Sequence, residues 1–129
     1  MATWDDVARL ALALPGSAEA PTYGGWRSWR VRGRMFAWER PLLAPDLAEL
    51  GDAAPTGPVL AVRVPDVDAR AELIADSPGL YFTIGHLAGH PAVLVRLAEL
   101  SPGELAELLD EAWRCRAPRR LLADHDRTG

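Results

Sequence analysis

Apolar residues recur at helical spacing near the start, in the middle and near the end of the chain. Residues 3–16 and 101–118 carry an apolar side chain every three or four positions, as amphipathic helices do. In the later segment, Ser101 and Glu104 form a capping box just before the apolar run. Residues 66–79 make a shorter segment of the same kind that ends at a Pro-Gly pair. The pattern therefore predicts three helices.

Period-two alternation and short apolar runs between these helices predict β-strands. Residues 26–40 alternate on both sides of Gly33, which is typical of a hairpin with a tight turn. The remaining predicted segments are a loop at 16–25, a loop at 41–58 with a helical turn at 46–50, strands at 59–64, 80–85 and 92–98, and a short tail from 119.

Helices do not alternate singly with strands in this order, which argues against a doubly wound parallel sheet. An antiparallel sheet packed against helices, an α+β sandwich, fits the order better. The 129 residues contain 49% hydrophobic and 25% charged side chains, an ordinary balance for one globular domain. We therefore expect a single α+β domain over residues 1–129.

The stretch WRSWRVRGRMFAWERP at residues 26–41 carries five arginines, four aromatic side chains and one acid. The whole chain is acidic, with a formal net charge of -4 and a pI near 5.3. An acidic chain disfavours non-specific binding of nucleic acid, which depends mostly on neutralising phosphates. Any contact with a polyanion therefore has to come from a local patch such as this stretch.

Alternation separates the two kinds of side chain in the predicted hairpin. Trp29 lies on one face of the first strand, whereas Arg30 and Arg32 lie on the other. In the second strand, strict alternation places Phe36 and Trp38 on a shared face. A surface that binds bases needs aromatic and basic side chains together, so this separation weakens that interpretation.

Residues with catalytic or metal-binding chemistry are sparse. Cys115 is the one cysteine, and it lies in a helical segment with no histidine beside it. His86 and His90 are four residues apart, but the neighbouring glycines and proline disfavour the helix that a zinc pair needs. No nucleophile elbow, phosphate loop or dinucleotide fingerprint is present. We expect a non-enzymatic protein with no metal and no cofactor.

The sequence predicts a cytoplasmic protein that makes no membrane contact. No apolar run reaches about 18 residues, the length that a membrane helix needs. Asp5 and Asp6 stand where a secretory signal peptide would be positively charged.

Three segments together resemble the MmcQ/YjbR family of small bacterial proteins: ALALPGSAEAPTYGGWRSWRVRGRMFAWE, VLAVRVPDVDARAELIADSPGLYFTIGHLAGHPAVLV and ELLDEAWRCRAPRRLLA. The family has the same order of a helix ending in Leu-Pro-Gly, a hairpin, a histidine-containing middle segment and a terminal helix. The resemblance implies an antiparallel sheet packed against helices, similar to the frataxin/CyaY-like α/β sandwich, with a double-wing arrangement. Pro91-Ala92 departs from the family pattern, which usually has an aromatic side chain there.

The resemblance and the residues leave three interpretations open. Family members are often labelled DNA-binding, so the first is that arginines contact DNA phosphates: Arg27, Arg30, Arg32, Arg34, Arg119 and Arg120. The second is a small-molecule binding or self-resistance protein for an aromatic or acidic ligand. Its pocket would lie between the sheet and residues 41–58, lined by Trp29, Phe36, Trp38 and Tyr81, with His86 or His90 for orientation. In the third, the arginines are only the solvated outer face of the hairpin and bind nothing.

Overall fold

The computed structural model describes residues 1–128. Its helices and strands are, in chain order, α1 (Trp4–Leu12), β1 (Ser17–Pro21), β2 (Arg27–Val31), β3 (Arg34–Glu39), α2 (Ala44–Leu50), β4 (Val59–Arg63), α3 (Val67–Asp76), β5 (Tyr81–Phe82), β6 (Ala92–Arg96), α4 (Pro102–Arg116) and α5 (Arg119–Thr128). Short 3₁₀ turns lie at Gly51–Ala53, Gly85–Leu87 and Leu97–Glu99. No helix in this described part of the chain is long and apolar enough to cross a membrane.

The six strands form one sheet in the order β1-β2-β3-β4-β6-β5, and every neighbouring pair is antiparallel. This confirms the predicted α+β class. The predicted loop at 16–25 instead contains β1, an edge strand where Pro21 is tolerated because its missing N–H faces away from the sheet. The predicted strand at 80–85 shortens to Tyr81–Phe82 because a 3₁₀ turn begins at Gly85.

Helices α1, α3 and α4 cover one face of the sheet, here called the helix face. Leu60 and Val62 of β4 point to this face and are fully buried against inward side chains of the helices, such as Val7. Trp113 of α4 is also fully buried, and its Nε1 donates a hydrogen bond to the carbonyl of Pro15 at 2.9 Å. Burial of these apolar side chains drives the packing of helices on the sheet.

The opposite face, here called the loop face, is covered by short segments. Ala61 of β4 and Leu94 of β6 are the centre of a second apolar cluster on this face. Leu50 at the end of α2 and Leu87 of a 3₁₀ turn pack onto that cluster. The cover is incomplete beside Trp38, where a groove opens onto the sheet.

A β-bulge in the hairpin decides which aromatic side chains share a face. The register shifts after Trp29, so that Arg30 pairs with Met35 and Phe36 is the extra residue. Phe36 therefore joins Trp29 in the helix-face core, where both are 0% exposed, whereas Trp38 packs on the loop-face cluster. The prediction that Phe36 and Trp38 share a face is wrong, because strict alternation is interrupted at the bulge.

The predicted C-terminal tail is helix α5, which packs on α4. Arg114 of α4 is ion-paired to Asp110 (Nε to Oδ2, 2.7 Å) and to Asp126 of α5 (Nη1 to Oδ1, 2.8 Å). Nε2 of His125 lies 2.9 Å from Oδ1 of Asp110, and its ring meets Trp113 edge-on. Burial raises the pKa of Asp110, but hydrogen bonds from Arg114 and His125 outweigh it, so the pKa is lowered. These pairs orient α5 on α4, while Leu121 and Leu122 of α5 pack against the helix-face core.

Asp46 joins α2 to the end of β3, and it is 5% exposed. Its Oδ2 accepts hydrogen bonds from the backbone N–H of Leu43 at 2.9 Å and from Nη2 of Arg40 at 3.1 Å. Removing one partner of a buried pair leaves the other charge uncompensated, so we expect Asp46→Ala to lower the free energy of unfolding by about 3 kcal/mol. Denaturant unfolding measures this cost. The exposed control Asp52→Ala should change it by less than about 0.5 kcal/mol, and equal costs would contradict the anchoring role.

Candidate anion-binding groove

A groove of about 310 Å³ lies on the loop face, at the end of the sheet where β3 begins and β4 ends. Three strands, the 85–91 loop and the end of α4 supply its floor and walls. A concave site of this volume is at the lower end of the range for small-ligand sites, about 300–1,000 Å³. None of its lining residues is acidic: Met35, Trp38, Arg40, Arg63, His86, Leu87, His90, Ala92 and Arg116.

The pairing register of the strands brings the residues of the groove floor together. Trp38 pairs with Ala61, and Arg63 pairs with Ala92. Residues directly opposite in paired strands share a face, and so do residues two apart within a strand. Ala61 and Arg63 are two apart in β4, so Trp38, Arg63 and Ala92 meet on one surface.

Arg70 of α3 holds the loop that carries the two predicted histidines. Its Nη1 lies 2.9, 2.7 and 3.2 Å from the carbonyl oxygens of Leu87, His90 and Ala92. One guanidinium group thus links three carbonyls of the loop, two of which, those of Leu87 and His90, also accept backbone N–H bonds. His86 and His90 are exposed at the rim of the groove. Within residues 1–128, no group of three or more His, Cys, Asp or Glu side chains is arranged to hold a metal ion.

Two arginines in the groove lack a counter-charge. Arg40 is paired with Asp46, but within residues 1–128 no carboxylate oxygen lies within 4.0 Å of Arg63 or Arg116. Burial lowers the pKa of Arg63, and the neighbouring positive charge of Arg116 lowers it further. Nε of Arg116 is buried with no hydrogen-bond partner in the described chain. Because arginine stays protonated in proteins, this corner of the groove is complementary to an anion.

The arginines predicted to contact DNA do not all lie on one face of the sheet. Arg30 lies on the loop face beside the groove, since it pairs with Met35. Arg27 lies on the other face, where its Nε and Nη2 donate to the carboxylate of Glu19 at 2.9 and 3.0 Å. This bidentate pair leaves Arg27 poorly placed to bind a phosphate.

Four further arginines are exposed and are here called the arginine rim: Arg32, Arg34, Arg119 and Arg120. The surroundings of Gly16 show that the hairpin turn and α5 are neighbours. A Cβ at Gly16 would lie 2.9 Å from Cδ1 of Leu121 and 3.3 Å from Nε of Arg32. The structure therefore brings the start of α5 beside the hairpin turn, at the same end of the sheet as the groove.

The predicted aromatic pocket does not form as a unit. Trp29 and Phe36 are fully buried on the helix face, where Trp29 stacks on Trp4 with ring centroids 6.2 Å apart. Tyr81 is half-buried in a different groove, between α3 and α4. Trp38 and the two histidines are the members of the predicted set that line the loop-face groove, and residues 41–58 do not line it.

Sequence reasoning missed Arg63, Arg70 and Arg116. Arg63 ends the strand VLAVR, whose other four residues are buried. That position was recognisable, since alternation places Arg63 on the face of Val59 and Ala61. Arg70 and Arg116 lie on helices among other charged side chains, so no local pattern distinguishes them.

Residues 12–115 match the family model described as YjbR. The chain belongs to the YjbR family. This confirms the resemblance drawn from the sequence. Two uncharacterized proteins, Rv2570 of Mycobacterium tuberculosis and Mb2600 of Mycobacterium bovis, are each 48% identical to this YjbR-family chain over 125 residues, which cover 95% of it and 94% of each relative.

A crystal structure of the Deinococcus radiodurans protein DR2400, a DUF419 domain, has the same fold as this YjbR-family chain. The two agree with a TM-score of 0.64 at 24% sequence identity, over 88% of this chain and 77% of the other. A likeness at this identity shows the fold, and it confirms the α+β class expected from the family resemblance.

We expect Arg116→Met to raise the free energy of unfolding by about 1 kcal/mol in anion-free buffer, because it removes a buried unpartnered donor. It also removes a charge that repels Arg63, while Met preserves the packing of the arginine stem. The matched control Arg114→Met, on the same helix, should lower stability because Arg114 has two carboxylate partners. Urea unfolding measures both. Equal losses in the two variants would contradict the missing counter-charge.

Proposed function

We propose that this YjbR-family protein is a cytoplasmic binding protein, not an enzyme, and that its loop-face groove binds a small acidic molecule with an aromatic part. The charge of the groove carries the proposal. Its lining contains arginines and histidines but no acid, and neither Arg63 nor Arg116 has a carboxylate partner among residues 1–128. Guanidinium groups bind carboxylates and phosphates through charge-assisted hydrogen bonds, which are stronger in half-buried surroundings.

Trp38 supports the aromatic part of the ligand. Part of its side chain packs on the loop-face cluster, and the rest lines the groove beside Met35. An aromatic pair contributes about 0.5–1.5 kcal/mol beyond area burial, and a thioether also contacts rings favourably. A ligand with both an acidic group and a ring would engage both parts of the groove.

The lining favours binding over catalysis. It contains no Ser, Thr, Cys, Asp or Glu, so it supplies neither a hydroxyl or thiol nucleophile nor a carboxylate base. His86 and His90 are exposed, and no side chain of the described residues orients either imidazole for proton transfer.

Isothermal titration calorimetry with aromatic acids, such as benzoate and phenyl phosphate, and with neutral benzamide tests the proposal. The acids should bind and benzamide should not. Arg63→Gln should weaken binding of the acids at least about tenfold, the loss of one charge-assisted hydrogen bond. Arg9→Gln, the same charge change on the exposed surface of α1, should leave affinity unchanged. If no acid binds, or if both variants lose affinity equally, the proposal is overturned.

The arginine rim supports DNA binding as a second candidate function. Its four side chains are exposed at one end of the sheet, where the phosphates of a strand could reach several of them. The net charge of -4 opposes such binding, so the affinity should depend steeply on salt.

Fluorescence anisotropy of a labelled duplex and a labelled single strand at about 50 and 200 mM salt tests this second candidate. The double variant Arg32→Gln/Arg34→Gln should flatten the slope of log K against log salt by about 0.9 for each phosphate that the protein no longer neutralises. Arg9→Gln is again the control and should keep the slope. Absence of binding at about 50 mM salt would remove DNA as a candidate.

A further inference from the structure

We infer that the acidic group of the ligand is a phosphate monoester, carried by a body of one or two aromatic rings. This inference rests on the proposed function and narrows it to one chemical class. Arg63 and Arg116 are two positive charges in one groove. A carboxylate or a sulfate monoester brings one negative charge and leaves one of the two arginines uncompensated, whereas a phosphate monoester brings close to two.

The surrounding acids do not compensate this pair of arginines. Three of them share the neighbouring α3–α4 groove with Arg63: Glu72, Asp76 and Glu111. None of their carboxylate oxygens lies within 4.0 Å of its guanidinium group. The side of Arg63 that faces the loop-face groove has no acid at all. The repulsion between Arg63 and Arg116 is therefore relieved most by a dianion.

The hydrogen-bond donors of the groove also favour phosphate. Nε of Arg116 is buried without a partner, and the Arg63 side chain makes no hydrogen bond within residues 1–128. Each guanidinium group has five N–H donors in a planar fork. The three terminal oxygens of a phosphate monoester can accept from both forks at once, whereas a carboxylate offers two oxygens.

The volume of the groove limits the size of the group attached to the phosphate, and Trp38 favours an aromatic group. A volume of about 310 Å³ is small for a ligand site, and it limits the body to one or two rings. Trp38 lines the groove together with Arg63 and Arg116, so a ring attached to the phosphate can contact the indole.

Calorimetry at pH 8 with phenyl phosphate and phenyl sulfate tests the inference. The two molecules share the ring and the tetrahedral head, but phosphate is a dianion at this pH because its second pKa is about 6. We expect phenyl phosphate to bind at least about tenfold more tightly. The preference should be lost in Arg116→Gln and in Arg63→Gln, whereas Arg120→Gln on the exposed arginine rim should retain it.

The outcomes separate this inference from the proposed function. Equal affinities for the two esters would overturn the phosphate inference while leaving the proposed function standing, since an acidic aromatic molecule would still bind. Failure of every aromatic acid to bind would overturn both.

A phosphate monoester joined through a sugar to an aromatic base occurs both in a free nucleotide and at the end of a DNA strand. A nucleoside 5′-monophosphate is therefore compared with one oligonucleotide carrying either a 5′-phosphate or a 5′-hydroxyl. Tighter binding of the nucleotide identifies a small-molecule ligand, and tighter binding of the phosphorylated strand identifies a strand end. A hydroxyl-terminated strand that binds as tightly as both would show that the monoester is not the recognised group.

Discussion

The pairing of β3 with β4 and of β4 with β6 decides the chemistry of the loop face. Trp38 lies opposite Ala61, and Arg63 lies opposite Ala92, so residues distant in the chain form one surface. A slip of one residue would turn Arg63 into the apolar helix-face core, at a large desolvation cost. Burial of Leu60 and its neighbours on the helix face therefore fixes the register, and the groove follows from that same pattern.

Acidic and basic side chains are separated across the molecule, which the net charge alone does not show. Acidic side chains line the connected grooves between α3 and α4: Glu72, Asp76, Glu104, Glu107, Asp110 and Glu111. The loop-face groove has none. Exposed charges are screened beyond about 10 Å at ordinary ionic strength, so a ligand responds mainly to the charges beside it. The acidic pI argues against a uniformly basic surface, but it leaves room for a local anion site.

Features with local signals could be predicted from the sequence, and features made by packing could not. The capping box of Ser101 and Glu104 marks the start of α4 as observed. The bulge at Phe36 has no local sequence signal, because Phe36 and the following Ala37 are both apolar and both buried. β1 was missed because glycine and proline flank it, while its hydrogen bonds come from β2. Arg63 and Arg116 meet only because the end of α4 packs beside the end of β4.

Two uncompensated arginines in a half-buried groove are expected to reduce the stability of the anion-free protein. Met35 and Leu87 line the same groove, so apolar side chains are compatible with it. A chain selected for stability alone would carry an acid or an apolar residue in place of one of the two arginines. A bound anion would relieve both the repulsion and the buried unpartnered donor, so in the proposed function affinity and instability have one source. The exposed arginine rim differs in this respect. Water solvates the charges of the arginine rim whether or not a ligand is bound. The presence of these exposed arginines is therefore not evidence of a binding function.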